Sequence, residues 1–390
     1  MGHGAGFWVV ATVFLTTMAY STVPTPLYPL YQQRDGFPVG MITVIFAAYA
    51  VGVMLSLYLA GHVSDWVGRR RMLVIAVLIS MLSAVMFLAW SEVPGLIAAR
   101  LVNGVSIGIL SATATAHLAE LRAQARPGEG SVIATTVSGA ANLGGLALGP
   151  LIGGLFAEFL PAPLVLPHIV FLALLAAGAL ALLSVPETVA ATPRPYRPQR
   201  LSVPAASRSI FLVAGFGAFA GFAVFGLFSS LAPTFLVGTF GQDDHLLAGA
   251  AAFSVFAAAA VGQIALASVR QRTQFTIAII ACAVGLAGVA SGAVIPQLAL
   301  FLGGGVIAGL GVGVLFKGAI GTAISVAAPG RTGETLALLF LIAYAGLVVP
   351  VLAVGIGLTF APAVAVLLVF VVLVLAATVS AAAIMRRRTA

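Results

Sequence analysis

Charge is what this 390-residue chain has least of. Asp, Glu, Lys and Arg make up 7% of it, against 61% hydrophobic residues. A soluble domain carries about 25% charged residues, so this supply cannot cover a water-exposed surface. There is one cysteine, Cys282, in an apolar run; it has no partner, which excludes a disulfide framework and leaves a packed thiol. Alternating segments of about ten residues are missing, which excludes a membrane β-barrel. No segment is large enough for a soluble domain, so the net charge of +8 is not read as a nucleic-acid surface. The opening MGHGAGFWVV lacks a basic n-region and a small-residue cleavage site, so Phe7 is read as the start of a first span. No GxxxxGK[ST] loop, HExxH pair or intramembrane pair of acids occurs. The chain is therefore not read as an enzyme, and no cofactor or metal is expected.

What is present is a succession of apolar runs of about 18 residues or more, the length that crosses a bilayer as a helix. Only a helix satisfies its own backbone groups there. The chain reads as an all-α membrane protein with twelve spans near 7–30, 39–61, 72–90, 94–118, 131–157, 165–185, 209–236, 246–268, 274–293, 297–324, 333–358 and 361–385. Arginine sets the orientation. With both termini in the cytoplasm, 15 of the 18 Lys and Arg residues fall on that side, only Arg34 falls on the other, and Arg100 and Lys317 lie within spans. That is the positive-inside pattern.

The stretch 186–208, PETVAATPRPYRPQRLSVPAASR, is rich in proline and arginine. It reads as an extended cytoplasmic linker between six-helix halves at 1–185 and 209–390. Three anchors recur at an offset of 200 to 202 residues: Gly61 with Gly262, Pro127-Gly128 with Pro329-Gly330, and Pro150 with Pro350. Two similar halves place a substrate between them, near the midplane.

Three motifs carry a family resemblance. Gly61 to Arg71 reads GHVSDWVGRRR, of the form GxxxDxxGRR. Arg100, Gly104 and Gly108 in LIAARLVNGVSIG form RxxxGxxxG. Gly145, Gly149, Pro150, Gly153 and Gly154 in GGLALGPLIGG form GxxxGPxxGG. Over nearly its whole length the chain resembles the major facilitator superfamily (MFS), and among its members the twelve-helix drug/proton antiporter-type exporters. The second half departs from the pattern: VGQIALASVRQR has Leu266 where an aspartate would match Asp65.

The resemblance implies a conformational latch at Gly61, Asp65, Gly68, Arg69, Glu120 and Arg331. Asp65 would meet the start of the eleventh helix when the protein closes toward the cytoplasm; a helix N-terminus favours a negative charge by about 0.3–1 kcal/mol. The plainer alternative is that Asp65 neutralises the neighbouring arginines. Gly145, Gly149, Pro150 and Pro350 become a hinge, or else ordinary small-residue packing. The first, fourth, seventh and tenth helices line the cavity in this fold. That makes Tyr20, Tyr28, Phe216, Phe219 and Phe222 substrate-cavity candidates.

Arg100, Lys317, His117 and Asn142 are the coupling or cavity candidates. A cation at depth costs about 2.5–3.5 kcal/mol, so Arg100 either faces a cavity or partner or snorkels outward. Lys317 either binds an anionic group and responds to protons or reaches the inner headgroups. His117 either titrates or is a packing group.

All ten carboxylates fall at span ends or outside spans. The cargo is therefore expected to be amphiphilic or anionic rather than strongly cationic. The leading reading is a proton-coupled exporter working by alternating access, monomeric, in a bacterial inner membrane. The alternatives are a facilitator or symporter for an organic anion or metabolite and, remotely, a non-transporting receptor or scaffold.

Overall fold

The computed structural model describes residues 1–192, 195–266, 269–328 and 331–388. Pro329-Gly330, one of the repeat anchors, lies outside the described residues. Among those residues there are helices and no strand. Twelve long helices follow one another: α1 (His3–Asp35), α2 (Val39–Ala60), α3 (Arg69–Ala89), α4 (Val93–Ala125), α5 (Val132–Phe159), α6 (Leu166–Leu182), α7 (Ala205–Phe240), α8 (His245–Ala265), α9 (Gln271–Val294), α10 (Leu298–Val326), α11 (Thr332–Gly357) and α12 (Ala363–Arg388). Eleven are long and apolar enough to cross a membrane; α6, at 17 residues, is apolar but shorter. At 1.5 Å per residue it reaches about 25 Å.

Helices of each half pack mainly on their own kind: α1, α3 and α2 around α4, and α9, α8 and α7 around α10. The halves meet along two helix pairs, α5 with α8 and α2 with α11. Hydrophobic residues point both inward and outward, as expected where lipid replaces water.

Two helices are broken, each where proline removes an N–H and crowds the preceding turn. In α1 the regular helix stops at Thr22, passes through a 3₁₀ turn at Thr25–Leu27 beside Pro24 and Pro26, and resumes at Tyr28. In α7 a π turn at Leu227–Leu231 precedes Pro233. These two irregular pieces pack on each other. Residues 17–28 and 223–233 are all buried there, so the seam between α1 and α7 is shut at this end, the end that holds Arg34.

The opposite end carries Arg69–Arg71, Arg122, Arg126 and the linker, and is called the basic end below. Here α4 runs on to Ala125, past the expected boundary at 118, and carries Glu120 clear of the span. The described part of the linker is non-helical up to a 3₁₀ turn at Ala205–Ser207, in keeping with the expected extended segment.

Candidate transport pathway and gates

At the basic end the GHVSDWVGRRR loop folds tightly. Gly61 closes α2, Ser64–Val67 forms one helical turn, and Gly68 takes φ 116° before α3 begins. That φ strains any other residue. A Cβ on Gly68 would also lie 2.6 Å from Glu187 Oε2. The reason is that Glu187, from the linker, accepts the backbone N–H groups of Arg69 at 2.7 Å and Arg70 at 3.1 Å. A carboxylate thus caps the start of α3, satisfying two donors that the helix itself leaves unpaired.

Arg69 is nearly buried and holds the loop together. It donates to Ser64 Oγ at 2.7 Å, Asp65 Oδ1 at 2.5 Å and Glu120 Oε1 at 2.9 Å. Glu120 in turn accepts from Thr188 Oγ1. The structure brings Asp65, Arg69 and Glu120 together in the loop that Gly61 and Gly68 shape, and it places Arg331 elsewhere. Arg331 is exposed and lines a cleft of about 420 Å³ with Tyr58, Glu334 and residues 198–202. The linker lies where the latch would close: Gln199 N–H donates to Tyr58 O at 2.8 Å, and Thr335 Oγ1 donates to Ser202 O at 3.0 Å. The Asp65 side chain is 58% exposed and pairs with Arg69. Among the described residues no hydrogen bond or ion pair joins Asp65 to α11 in this conformation.

Glu187 was visible in the sequence only as an acid near the inner side; its partners lie 117 and 118 residues away. Glu187→Ala is expected to lower stability by about 1 kcal/mol, the worth of a lost helix cap. Thermal unfolding of the purified variant measures it. Glu187→Gln, which keeps an acceptor, should recover part of the loss.

The candidate hinge residues of α5 lie between α1 and α8. Gly145 and Gly149 of α5 face the backbone of α1: a Cβ on Gly145 would lie 2.6 Å from Leu15 O, and one on Gly149 would run into Ala19 O and Thr22 Oγ1. On the far side, a Cβ on Gly154 would lie 2.5 Å from His245 O, and one on Gly249 of α8 would run into Pro150 O. Pro150 cannot donate to Leu146 O, four residues back; Thr22 Oγ1 lies 3.2 Å from that carbonyl and 3.2 Å from Ala19 O, so its one proton is shared between the two acceptors. Both α5 and α11 run on through Pro150 and Pro350. Gly104 and Gly108 seat α4 on α2, at Tyr49 and Val53.

The cavity candidates separate. Arg100 is 1% exposed. Its Nη1 donates to Ser21 O at 2.6 Å, one of the last carbonyls before the break in α1. The Tyr49 ring lies over the guanidinium, 4.4 Å from Cζ to the ring centroid. Arg100 therefore turns inward rather than snorkelling. Tyr28 lies beside Arg100 without reaching hydrogen-bonding geometry.

Tyr20 does not line a cavity. It is buried and meets His168 Nδ1 at 3.1 Å, while Tyr31 meets His168 Nε2 at 3.3 Å. His168, from the start of α6, stacks on Phe87 at 4.6 Å. It bridges the two pieces of the broken α1. A neutral imidazole offers one donor and one acceptor, which suits two phenols. His168→Phe keeps the stacking surface and strands two buried hydroxyls. It is expected to cost about 1–3 kcal/mol, read as a lower unfolding midpoint, with His168→Gln less damaging.

Lys317 meets a backbone carbonyl in this conformation. Its Nζ donates to Gln263 O at 2.8 Å, one of the last carbonyls of α8, where a cation is favourable. It clips α10 to α8. His117 is buried with Nε2 at 3.1 Å from Pro186 O and anchors the exit from α6, as a packing group does. Asn142 is half-buried on α5. Phe216 is 52% exposed and stacks on the half-buried Phe219. Phe222 sits in an aromatic cluster with Phe316 at 4.9 Å, Tyr344 at 5.5 Å and Phe225 at 5.7 Å.

Two helical halves, joined by two helix pairs, shut at one end and strapped at the other, define a membrane carrier. The family model described as Major Facilitator Superfamily matches residues 9–350. The chain belongs to the major facilitator superfamily, whose members are transporters rather than enzymes. Among solved structures it is similar to the nucleoside transporter NupG in a D323A mutant form, at 13% identity and TM-score 0.69, covering 97% of this chain and 98% of that one. It is also similar to the human organic anion transporter MFSD10 (TETRAN), at 18% identity and TM-score 0.67, covering 97% and 99%. At these identities the likeness is one of fold. A sequence search of curated proteins finds no significant match.

Proposed function

We propose that the chain is a proton-coupled exporter of small amphiphilic or anionic compounds, with the basic end in the cytoplasm. The observation that carries alternating access is the asymmetry of the seam. At the Arg34 end the broken pieces of α1 and α7 interlock, and Gly355 of α11 rests on Thr43 of α2. At the basic end the linker lies between Tyr58 of α2 and Thr335 of α11. Rocking about the α5–α8 and α2–α11 contacts exchanges these two conditions, and the Arg69 cluster is the part of the latch already assembled. The glycine-seated α5 supports export, by its resemblance to the exporter motif. A buried Arg100, in an interior whose spans hold no mid-membrane carboxylate, supports an anionic cargo, and one structural relative is an organic anion transporter.

Flux in everted and right-side-out vesicles under a pH gradient tests this. Accumulation in everted vesicles, abolished when the gradient is collapsed, is the expected result. Export of a permanent cation that survives Asp65→Asn combined with Glu120→Gln would contradict it. A facilitator or symporter that brings an organic anion or metabolite inward is the second reading, favoured by the placement of all ten carboxylates at span ends or beyond. Net uptake in right-side-out vesicles without a gradient would establish it.

A further inference from the structure

We propose that Arg100 and Tyr28 form the receptor for one carboxylate of the transported molecule, held side-on by Nε and Nη2 of the guanidinium. The inference rests on the transport reading above and names the substrate class: an amphiphilic monocarboxylate.

Arg100 is 1% exposed, and Nη1 is its only nitrogen with an acceptor. Among the described residues nothing accepts from Nε or Nη2, and the hydroxyls of Tyr28, Tyr49 and Thr25 are likewise buried without a partner. A buried cation with unmet donors is strongly unfavourable unless a partner arrives during function. Carboxylates serve the other arginines of the ion pairs: Asp35 for Arg34, Asp65 and Glu120 for Arg69, and Glu129 for Arg122. Arg100 belongs to no ion pair among the described residues.

The two unserved nitrogens decide the chemistry. Nε–H and one N–H of Nη2 lie parallel on one edge of the guanidinium plane, spaced for the two oxygens of a carboxylate. Arg34 shows that edge in use: its Nε donates to Asp35 Oδ1 at 2.6 Å and its Nη2 to Oδ2 at 2.7 Å. Arg100 offers the same edge beneath the shut seam of α1 and α7, about 10 Å along α4 from its start at Val93. Tyr28, beside it, supplies a third donor. A dianion would bring two charges against one cation, and an amide supplies only one oxygen acceptor. The body of the ligand has an aromatic wall within reach, since Tyr344 of α11 adjoins Tyr49 and contacts Phe222.

The test uses the full-length protein in nanodiscs. Its thermal unfolding is followed with matched pairs of benzoate and benzamide, 1-naphthoate and 1-naphthamide, and octanoate and octanamide, at constant ionic strength, with chloride and phosphate as controls. At least one carboxylate is expected to raise the unfolding midpoint above its amide twin. Its apparent affinity should fall roughly tenfold or more in Arg100→Lys, which keeps the charge and loses the fork, and less in Tyr28→Phe. Tyr28→Phe, which retains the arginine, serves if Arg100→Lys does not fold. Three outcomes overturn the proposal: no carboxylate exceeds its amide, chloride or phosphate alone gives the same shift, or the variants bind carboxylate as well as the wild type. Flux of the same compound in proteoliposomes separates the two levels. Arg100-dependent binding without flux would overturn the transport reading and leave the receptor, and flux indifferent to both variants would do the reverse.

Discussion

Gly149→Val is expected to be strongly damaging. A Cβ at this position would run into Ala19 O and Thr22 Oγ1 of α1, neither of which is the loose end of a flexible side chain. Overpacking against rigid neighbours costs about 1–3 kcal/mol or more. The damage does not stop at volume. Thr22 Oγ1 shares its proton between Ala19 O and Leu146 O, the carbonyl Pro150 leaves without an N–H. Pushing α5 off α1 leaves that carbonyl unserved and shifts Pro150, whose own carbonyl supports Gly249 of α8. Both the α1–α5 contact and the junction of the halves are disturbed, so folded yield, unfolding midpoint and flux should fall together. Gly144, five residues away on the same helix, has open space where its Cβ would stand. Gly144→Ala should leave stability unchanged or raise it by up to about 1 kcal/mol through helix propensity. Equal effects at the two positions would show that the close approach to α1 is not what Gly149 is for.

Arg100→Met is expected to show the opposite separation. Flux should fall at least about tenfold while the unfolding free energy stays within about 1 kcal/mol of the wild type or rises. Apolar groups that replace buried charges are often neutral or stabilising. Against that gain stand the bond to Ser21 O and the contact with the Tyr49 ring, of which the latter is worth about 2 kcal/mol or more when desolvated. Thermal unfolding and proteoliposome flux, measured on one preparation, check it. A variant that loses several degrees of melting temperature in step with its flux would make Arg100 a strut for the broken α1 and nothing more.

Most of the fold was legible because lipid-spanning length and arginine placement are strong one-dimensional signals. The loop at Gly61–Arg71 was legible because its glycines and charges act on near neighbours: Arg69 meets Ser64 and Asp65 within five residues. What the sequence left open was which way most interior side chains face. In a chain that is apolar all round its helices, hydrophobic periodicity does not separate core from lipid. Tyr20 on a supposed cavity helix therefore turned out to be locked on His168, 148 residues away. Lys317 was weighed as a ligand or a headgroup contact, and its partner is a backbone carbonyl at the end of α8, which no residue type announces. Arg331, expected in the latch from the family resemblance, instead lines a cleft with the linker, which the sequence does not place there.

The linker has a mechanical consequence. Gln199 is bonded to the last turn of α2, Ser202 to the first turn of α11, and the two anchor points are only three links of chain apart. Fully stretched, such a piece of chain covers about 10 Å. While both bonds hold, the strap behaves as a leash: it sets the farthest distance to which the basic mouth can gape, and a longer or looser 199–202 stretch would lengthen the stroke of every cycle.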